Sequence, residues 1–361
     1  MDTVRIGIIG AGFIADTHVA AIHTLADARA VAVASRDLTK AQAFAQNHAI
    51  PHASGDYHEL LARPDVDAVV VAAPNYLHAP IVQAAAAAGK HVLCEKPLCL
   101  TVAEGEKMRD ACRQHGVQLV YAEVLPYVPK YVRAQELARS GALGQVFFVR
   151  HSEEHPGPHT DWFWDPQRSG GGVMLDMSCH SIEFARWVLG KPATKSVTAT
   201  VGTFVHGGRT RCDDHCICTV EFEGGALALC ENSWAKLGGM DDKCEIYGTR
   251  GNTRADIALG ESLLTYSERG YDYAMEKAGA TTGWSFTMYD ELWNFGYPQQ
   301  MRHFVDVVRG RAEPRETIED GIEVLRIICA AYQSAREGRR IEWPYEPPPV
   351  ARPIDLWLGE Q

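Results

Sequence analysis

Along the first 121 residues, short apolar runs alternate with longer stretches in which apolar residues recur every three or four positions. That is the pattern of parallel strands joined by helices. Residues 4–9, 30–34, 68–72, 91–94 and 118–121 read as strands. The alanine-rich segment 81–88, stopped by Gly89, reads as a helix ended by its C-terminal glycine. This half is expected to be α/β, a doubly wound parallel sheet.

After Tyr121 the texture changes, and the boundary is placed near residue 122, giving expected domains 1–122 and 123–361. Pro126 and Pro129 introduce a helical stretch to Ser140, followed by a strand-like run at 145–151 and a loop rich in glycine and tryptophan. One helix is predicted from about 172 to 189, then β-like runs at 196–206, 214–222, 226–234 and 243–247. Successive strands with helices before and after them predict an α+β domain on an open, mostly antiparallel sheet with helices on one face. Residues 298–309 and 318–337 read as closing helices, and the prolines at 347–349 as an extended tail.

A length of 361 residues agrees with two domains at about 150 residues each, and two domains imply a cleft. The balance of 35 basic against 46 acidic side chains, net -11, lacks the basic footprint of a nucleic-acid binder. No apolar run approaches the roughly 18 residues of a membrane helix, and the first strand follows Met1 without a leader, so a cytoplasmic protein is expected. The 10 cysteines are scattered, which suggests reduced thiols. Cys212, Cys216 and Cys218 cluster without a paired CxxC and read as buried thiols, not as a zinc site.

Directly after the first strand comes Gly10-Ala11-Gly12-Phe13-Ile14-Ala15, then a helical segment from Asp16. This is the dinucleotide fingerprint with alanine third. The first glycine makes the tight turn, the second admits pyrophosphate close to backbone, and the small third residue lets helix and strand pack. The second strand ends in Ser35-Arg36-Asp37, where an acidic residue would accept from the ribose hydroxyl of NAD. Ser35 stands at that place and Arg36 can pair a 2'-phosphate, which leans the cofactor from NAD toward NADP. Asp37 reads as the cap of the next helix.

Further patterns follow later strands: Ala73-Pro74-Asn75 with His78, Glu95-Lys96-Pro97, and, in the second half, Gly170-Gly171-Gly172 before Asp176 and His180. With these the whole chain resembles the Gfo/Idh/MocA family of oxidoreductases. The resemblance implies a Rossmann domain holding NAD(P) and a sugar or polyol substrate between it and the open face of the second-domain sheet. It implies that Gly10, Gly12, Phe13, Ile14, Ser35, Arg36, Ala73, Pro74, Asn75, His78, Glu95 and Lys96 line the cofactor. It also implies that Lys96, before a Pro97 that is often cis, reaches nicotinamide and substrate hydroxyl, while Asp176 and His180 supply the remaining catalytic groups. Ser178 and Glu183 stand where that family commonly has glycine and aspartate.

The residues agree on their own terms. Asp176, His180 and Glu183 are spaced i, i+4, i+7 along one predicted helix face that starts after a triple-glycine loop. Oxidising an alcohol removes a hydroxyl proton as hydride leaves, and histidine suits that task near neutral pH; Asp176 would orient it and Lys96 stabilise the developing alkoxide. The stretch 151–168 holds His151, Glu153, Glu154, His155, His159, Trp162, Trp164 and Arg168, aromatic faces with polar groups between them, as a pyranose ring requires. Tyr121, His155, Trp162 and Arg168 join Lys96, Asp176 and His180 as candidate substrate contacts, with Asp213-Asp214-His215 and Glu231-Asn232-Ser233-Trp234 as further candidates. No metal is expected, since the histidines and glutamates lack a defined ligand spacing. Val201, Phe204 and Phe222 are expected on a second apolar sheet face that pairs copies as a homodimer or homotetramer. Two alternatives to an ordinary dehydrogenase stay open here: an enzyme that recycles a tightly bound nicotinamide, and a non-catalytic nucleotide sensor.

Overall fold

A computed structural model describes residues 3–258, 263–270, 281–287 and 290–359. The chain divides into two compact units: residues Met1–Val124 with Gly296–Glu323, and Leu125–Phe295 with Val324–Gln361.

The first unit contains β1 (Val4–Ile9), α1 (Phe13–His23), β2 (Ala28–Ala34), α2 (Leu38–Asn47), β3 (His52–Ser54), α3 (Tyr57–Leu61), β4 (Ala68–Val71), α4 (His78–Ala87), β5 (His91–Cys94), α5 (Val102–His115) and β6 (Leu119–Tyr121). Its six strands are all parallel, in the order β3-β2-β1-β4-β5-β6, so the winding direction reverses between β1 and β4. β4 reads AVVV and is buried throughout, because a sheet covered on both faces leaves no position for a polar side chain.

The expected boundary at 122 lies close to the observed one at Val124, but the second domain is not simply 123–361. Residues 296–323 return to the first unit. Their helix is amphipathic, and its Met301, Phe304 and Val305 are fully buried in the same core as Ile6, Ile8 and Val19.

The second unit holds α6 (Pro129–Arg139), β7 (Val146–Glu154), α7 (Pro166–Ser169), α8 (Val173–Asp176), α9 (Ser178–Leu189), β8 (Thr194–Gly202), β9 (His215–Phe222), β10 (Leu227–Ser233), β11 (Asp241–Gly248), β12 (Gly251–Asp256), β13 (Leu263–Ser267), β14 (Gly283–Thr287) and α10 (Glu291–Asn294). After α11 (Tyr297–Val308) in the first unit, α12 (Ile318–Glu337) leads into β15 (Ile341–Glu342) and α13 (Asp355–Leu358). The sheet order is β12-β11-β7-β10-β9-β8-β15, and among these pairs β7 with β10 is parallel while the others are antiparallel.

Two expectations need correction. Phe222 does not face outward: it alternates with Ile217, Thr219 and Glu221 along β9 and is fully buried with Cys216, Cys218 and Val220. The outward face carries Ile217, Leu227, Leu229 and the Arg150–Glu231 ion pair instead, while Val201 is half-buried and Phe204 exposed just beyond β8. The single helix over 172–189 is also broken, at Met177, into α8 and α9. The residues flanking the break are tied to strand β10 and to Trp234 just beyond it, Ser178 Oγ donating to Asn232 Oδ1 at 2.8 Å and Asp176 accepting from Trp234. Among the described residues no helix is long and apolar enough to cross a membrane.

Candidate functional site

In the first unit the candidate motifs all lie where strands leave the sheet at its carboxyl edge. Gly10 follows β1 with φ +120°, and a Cβ there would sit 2.0 Å from Ala72 O, so the turn admits only glycine. Gly12 opens α1, no atom lies within 4 Å of where its Cβ would be, and no side chain caps the helix. Ala15 is fully buried against the sheet and Ile14 packs partly into the core, while Phe13 is exposed. An open backbone cradle at an uncapped N-terminus of an 11-residue helix fits the pyrophosphate of a dinucleotide.

At the end of β2, Ser35 is half-buried and its N–H donates to Ser54 O at 3.1 Å, while Arg36 is exposed. Asp37 caps α2, accepting from Lys40 N at 3.1 Å, as its position suggested. Beyond β4, Ala73-Pro74-Asn75 leads into a single 3-10 turn in which Asn75 is buried. His78 is fully buried, with Nε2 2.8 Å from Ala73 O and Nδ1 2.9 Å from Pro97 O. Burial lowers its pKa despite both carbonyls, and the neutral ring, with one N–H, donates to one carbonyl and turns its other nitrogen toward the second. His78 thereby ties the loop after β4 to the loop after β5.

Beyond β5, the Lys96–Pro97 bond is cis and Lys96 is half-buried. The Glu95 carboxylate lies 2.6 Å from His18 Nε2 on α1 and accepts the N–H of Lys96 at 3.1 Å. Burial pushes the Glu95 pKa up, but the His18 hydrogen bond and the Lys96 charge outweigh it and hold the group below the ordinary carboxylate value. Tyr121, at the end of β6, is buried. No local sequence signal marks His18, which reads as one more inward position of α1 beside Ala15, Val19 and Ile22.

In the second unit the triple glycine is a packing requirement. A Cβ on Gly171 would stand 2.6 Å from Tyr332 Oη, and one on Gly172 would stand 2.0 Å from Asp213 O. The Asp213 carboxylate accepts from Gly172 N (3.1 Å), Met174 N (2.7 Å) and Tyr332 Oη (2.7 Å), and burial pushes its pKa up to about 6. Asp214 accepts from the N–H groups of Phe204, Val205 and His206 at 2.7 to 2.8 Å. Both carboxylates thus hold loops.

Asp176 ends α8 and His180 stands in the first turn of α9, each more than nine-tenths buried. Asp176 Oδ2 accepts from Trp234 Nε1 at 3.3 Å. Beneath α9, Asn232 Nδ2 donates to Ser181 Oγ (2.9 Å), which lies 2.8 Å from His151 Nδ1. His151 Nε2 stands 3.2 Å from Asp242 Oδ1, which accepts a hydrogen bond from Tyr131 Oη. This carboxylate–imidazole–hydroxyl series is buried throughout, so it anchors α9 to the sheet.

Glu183, the third member of the expected stripe, is fully buried and paired with Arg186 (3.4 Å) and Lys191 (3.3 Å), which accounts for it structurally. Within 151–168, His155 is buried with Nδ1 accepting from Gly157 N, Trp162 stacks on Phe163 with ring centroids 3.8 Å apart, and Arg168 is half-buried. Trp164 packs edge-on to Trp234, with Arg209 4.3 Å over its ring. The 10 cysteines are free and buried, and burial pushes Cys212 up to about 11 and Cys216 and Cys218 well above the ordinary thiol value, so all three stay thiols.

Comparison with known proteins bears on both units. A family profile described as an oxidoreductase family with an NAD-binding Rossmann fold matches residues 4–123, and one described as the GFO/IDH/MocA C-terminal domain matches 131–254. A D-xylose 1-dehydrogenase (NADP(+)) of Haloferax volcanii is 33% identical over 93% of this chain and 98% of its own. Myo-inositol 2-dehydrogenase of Thermotoga maritima is 27% identical over 94% and 98%. Among solved structures, GenD2 from gentamicin A biosynthesis, in complex with NAD, superposes with a TM-score of 0.90 at 32% identity, covering 96% of this chain and 97% of that one.

Proposed function

The chain belongs to the Gfo/Idh/MocA oxidoreductase family, and from that premise we propose that it is an NAD(P)-dependent dehydrogenase or reductase acting on a ring hydroxyl of a sugar, glycoside or polyol. The observation that carries the reading is the joint retention of the open cradle at Gly12, Lys96 beside the cis Pro97, and Asp176 with His180 at the α8–α9 break.

When bound, the nicotinamide supplies the acceptor for the hydride. The remaining work falls to this chain's side chains. Backbone at Gly10 and Gly12 receives the phosphates. The Lys96 ammonium donates to the reacting oxygen and stabilises its alkoxide character. His180 takes the hydroxyl proton at a ring nitrogen, and Asp176, held by Trp234, stabilises the imidazolium so formed. In the reductive direction the same proton returns to the oxygen.

The cofactor preference we assign is NADP. Asp37 spends its carboxylate on the α2 cap, and Arg36 stands exposed beside it, free of that duty, where a 2'-phosphate would be met. The partner is a second copy of the chain across the outward sheet face, where Ile217 and Leu227 are each more than 40% exposed.

Purified protein incubated with NADP+ or NAD+ and a panel of aldoses, glycosides and inositols should generate reduced-nicotinamide absorbance with some member. Lys96→Ala should lower that rate about 100-fold or more. A Lys96→Ala protein oxidising the same compound undiminished would refute the assignment.

A further inference from the structure

The geometry points to His18 as a positioning residue that acts through Glu95 on Lys96, coupling the phosphate-cradling helix α1 to the lysine segment after β5. This rests on the role proposed for Lys96 in catalysis. His18 and Glu95 are both more than nine-tenths buried, 77 residues apart in sequence, and 2.6 Å apart in space. A buried charge on that scale is tolerated only with partners, and Glu95 has two, one on each oxygen: His18 Nε2 on Oε1 and the Lys96 N–H on Oε2.

The Lys96 N–H is a donor and Glu95 is held as a carboxylate, so His18 Nε2 must carry its proton and donate as well. A glutamine at 95 would turn an amide N–H toward one of them. On the His18 side, Nδ1 has no hydrogen-bond partner among the described residues, and the tautomer with its proton on Nε2 satisfies the pair. The ring is fixed edge-on to Tyr297, with centroids 5.9 Å apart and planes at 88°. His18 thus lies in the second turn of the helix that Gly12 opens, and its one donated hydrogen bond fixes the side chain preceding Lys96.

The consequence is that Lys96 sits beside a permanently negative neighbour whose orientation α1 dictates. Loss of His18 would leave Oε1 without a donor in the interior, with only the Lys96 N–H on Oε2, so burial would raise the Glu95 pKa and weaken both the charge beside Lys96 and the hold on its backbone.

The test compares His18→Leu, His18→Gln, His18→Asn and Glu95→Gln with wild type. Glutamine places its amide nitrogen near the position of Nε2, whereas asparagine reaches only to that of Nδ1. One readout needs no turnover: the rate at which Lys96 is acylated by acetic anhydride, followed on its peptide by mass spectrometry. His18→Leu, His18→Asn and Glu95→Gln should label severalfold faster, because less of the amine is held as ammonium, and His18→Gln should label as wild type does. In turnover the same three should lose kcat by about 10- to 100-fold, and His18→Gln should recover most of it. Equal labelling of Lys96 in wild type, His18→Leu and Glu95→Gln overturns the proposal. So does a His18→Gln protein no better than His18→Leu. A wild type that turns over no carbohydrate yet shows the labelling pattern contradicts the functional reading and leaves the coupling standing.

Discussion

Arg36 is exposed at the end of β2, beside a carboxylate already committed to a helix cap. If it meets a 2'-phosphate, Arg36→Ala should raise the KM for NADP+ about tenfold while leaving that for NAD+ within about twofold, since one charge-assisted contact is worth roughly 1.5 kcal/mol. Steady-state kinetics with both cofactors decides it, and equal shifts would contradict the assignment. For Asp213 the expected effect is on stability. Its folded pKa of about 6 stands above the ordinary value of 3.8, so its protonated form contributes stability that is present below about pH 4 and lost as pH rises through about 6. The gap between wild type and Asp213→Asn in urea midpoint should therefore shrink from pH ~4 to pH ~7, and a widening gap would contradict it. At this scale the glycines at 10 and 12 were legible because their chemistry is local. Asp213 was not: its partners Gly172, Met174 and Tyr332 come from elements up to 119 residues away.

At the scale of elements, α11 shows how an ion pair and an apolar face act together. Met301, Phe304 and Val305 bury one side of it, while Arg302, at 2.6 Å, and Arg309 converge on Asp27 just before β2. These two hydrogen-bonded guanidinium groups outweigh desolvation and hold the Asp27 pKa at about 2, below the ordinary 3.8. The lowered value means that the stabilisation is present above about pH 4 and lost as pH falls toward about 2. With solvent screening at a partly exposed carboxylate, Asp27→Asn should cost about 1 kcal/mol near neutrality and nothing near pH ~2, measured by thermal unfolding at both pH values. Most strands and long helices were readable from period alone. The exceptions have physical reasons. β12 is a polar edge strand and lacks an apolar alternation, and the α8–α9 break follows from side-chain ties at Asp176 and Ser178 that spacing does not reveal. The expected stripe of Asp176, His180 and Glu183 ran across that break, and Glu183 proved to be an internal ion pair.

At the scale of the whole molecule, the outward sheet face is the surface proposed to pair two copies of the chain. Static light scattering at micromolar concentration should return at least twice the chain's 39.7 kDa, and Ile217→Lys with Leu227→Lys should shift it toward that single-chain mass. A monomeric wild type would contradict the pairing. Such a face was expected from the strand pattern, but with Phe222 on it, since a one-residue error in register exchanges the two faces of a strand. The family resemblance and both folds were legible in the chain, whereas the supporting contacts of each motif were not, because they join residues distant in sequence. The most direct test of the central claim is the rate of carbohydrate oxidation by His180→Asn, measured alongside NADPH binding by fluorescence titration. A loss of about 10²- to 10⁴-fold in rate with nucleotide affinity retained is the predicted result. Oxidation by His180→Asn at the wild-type rate would contradict it.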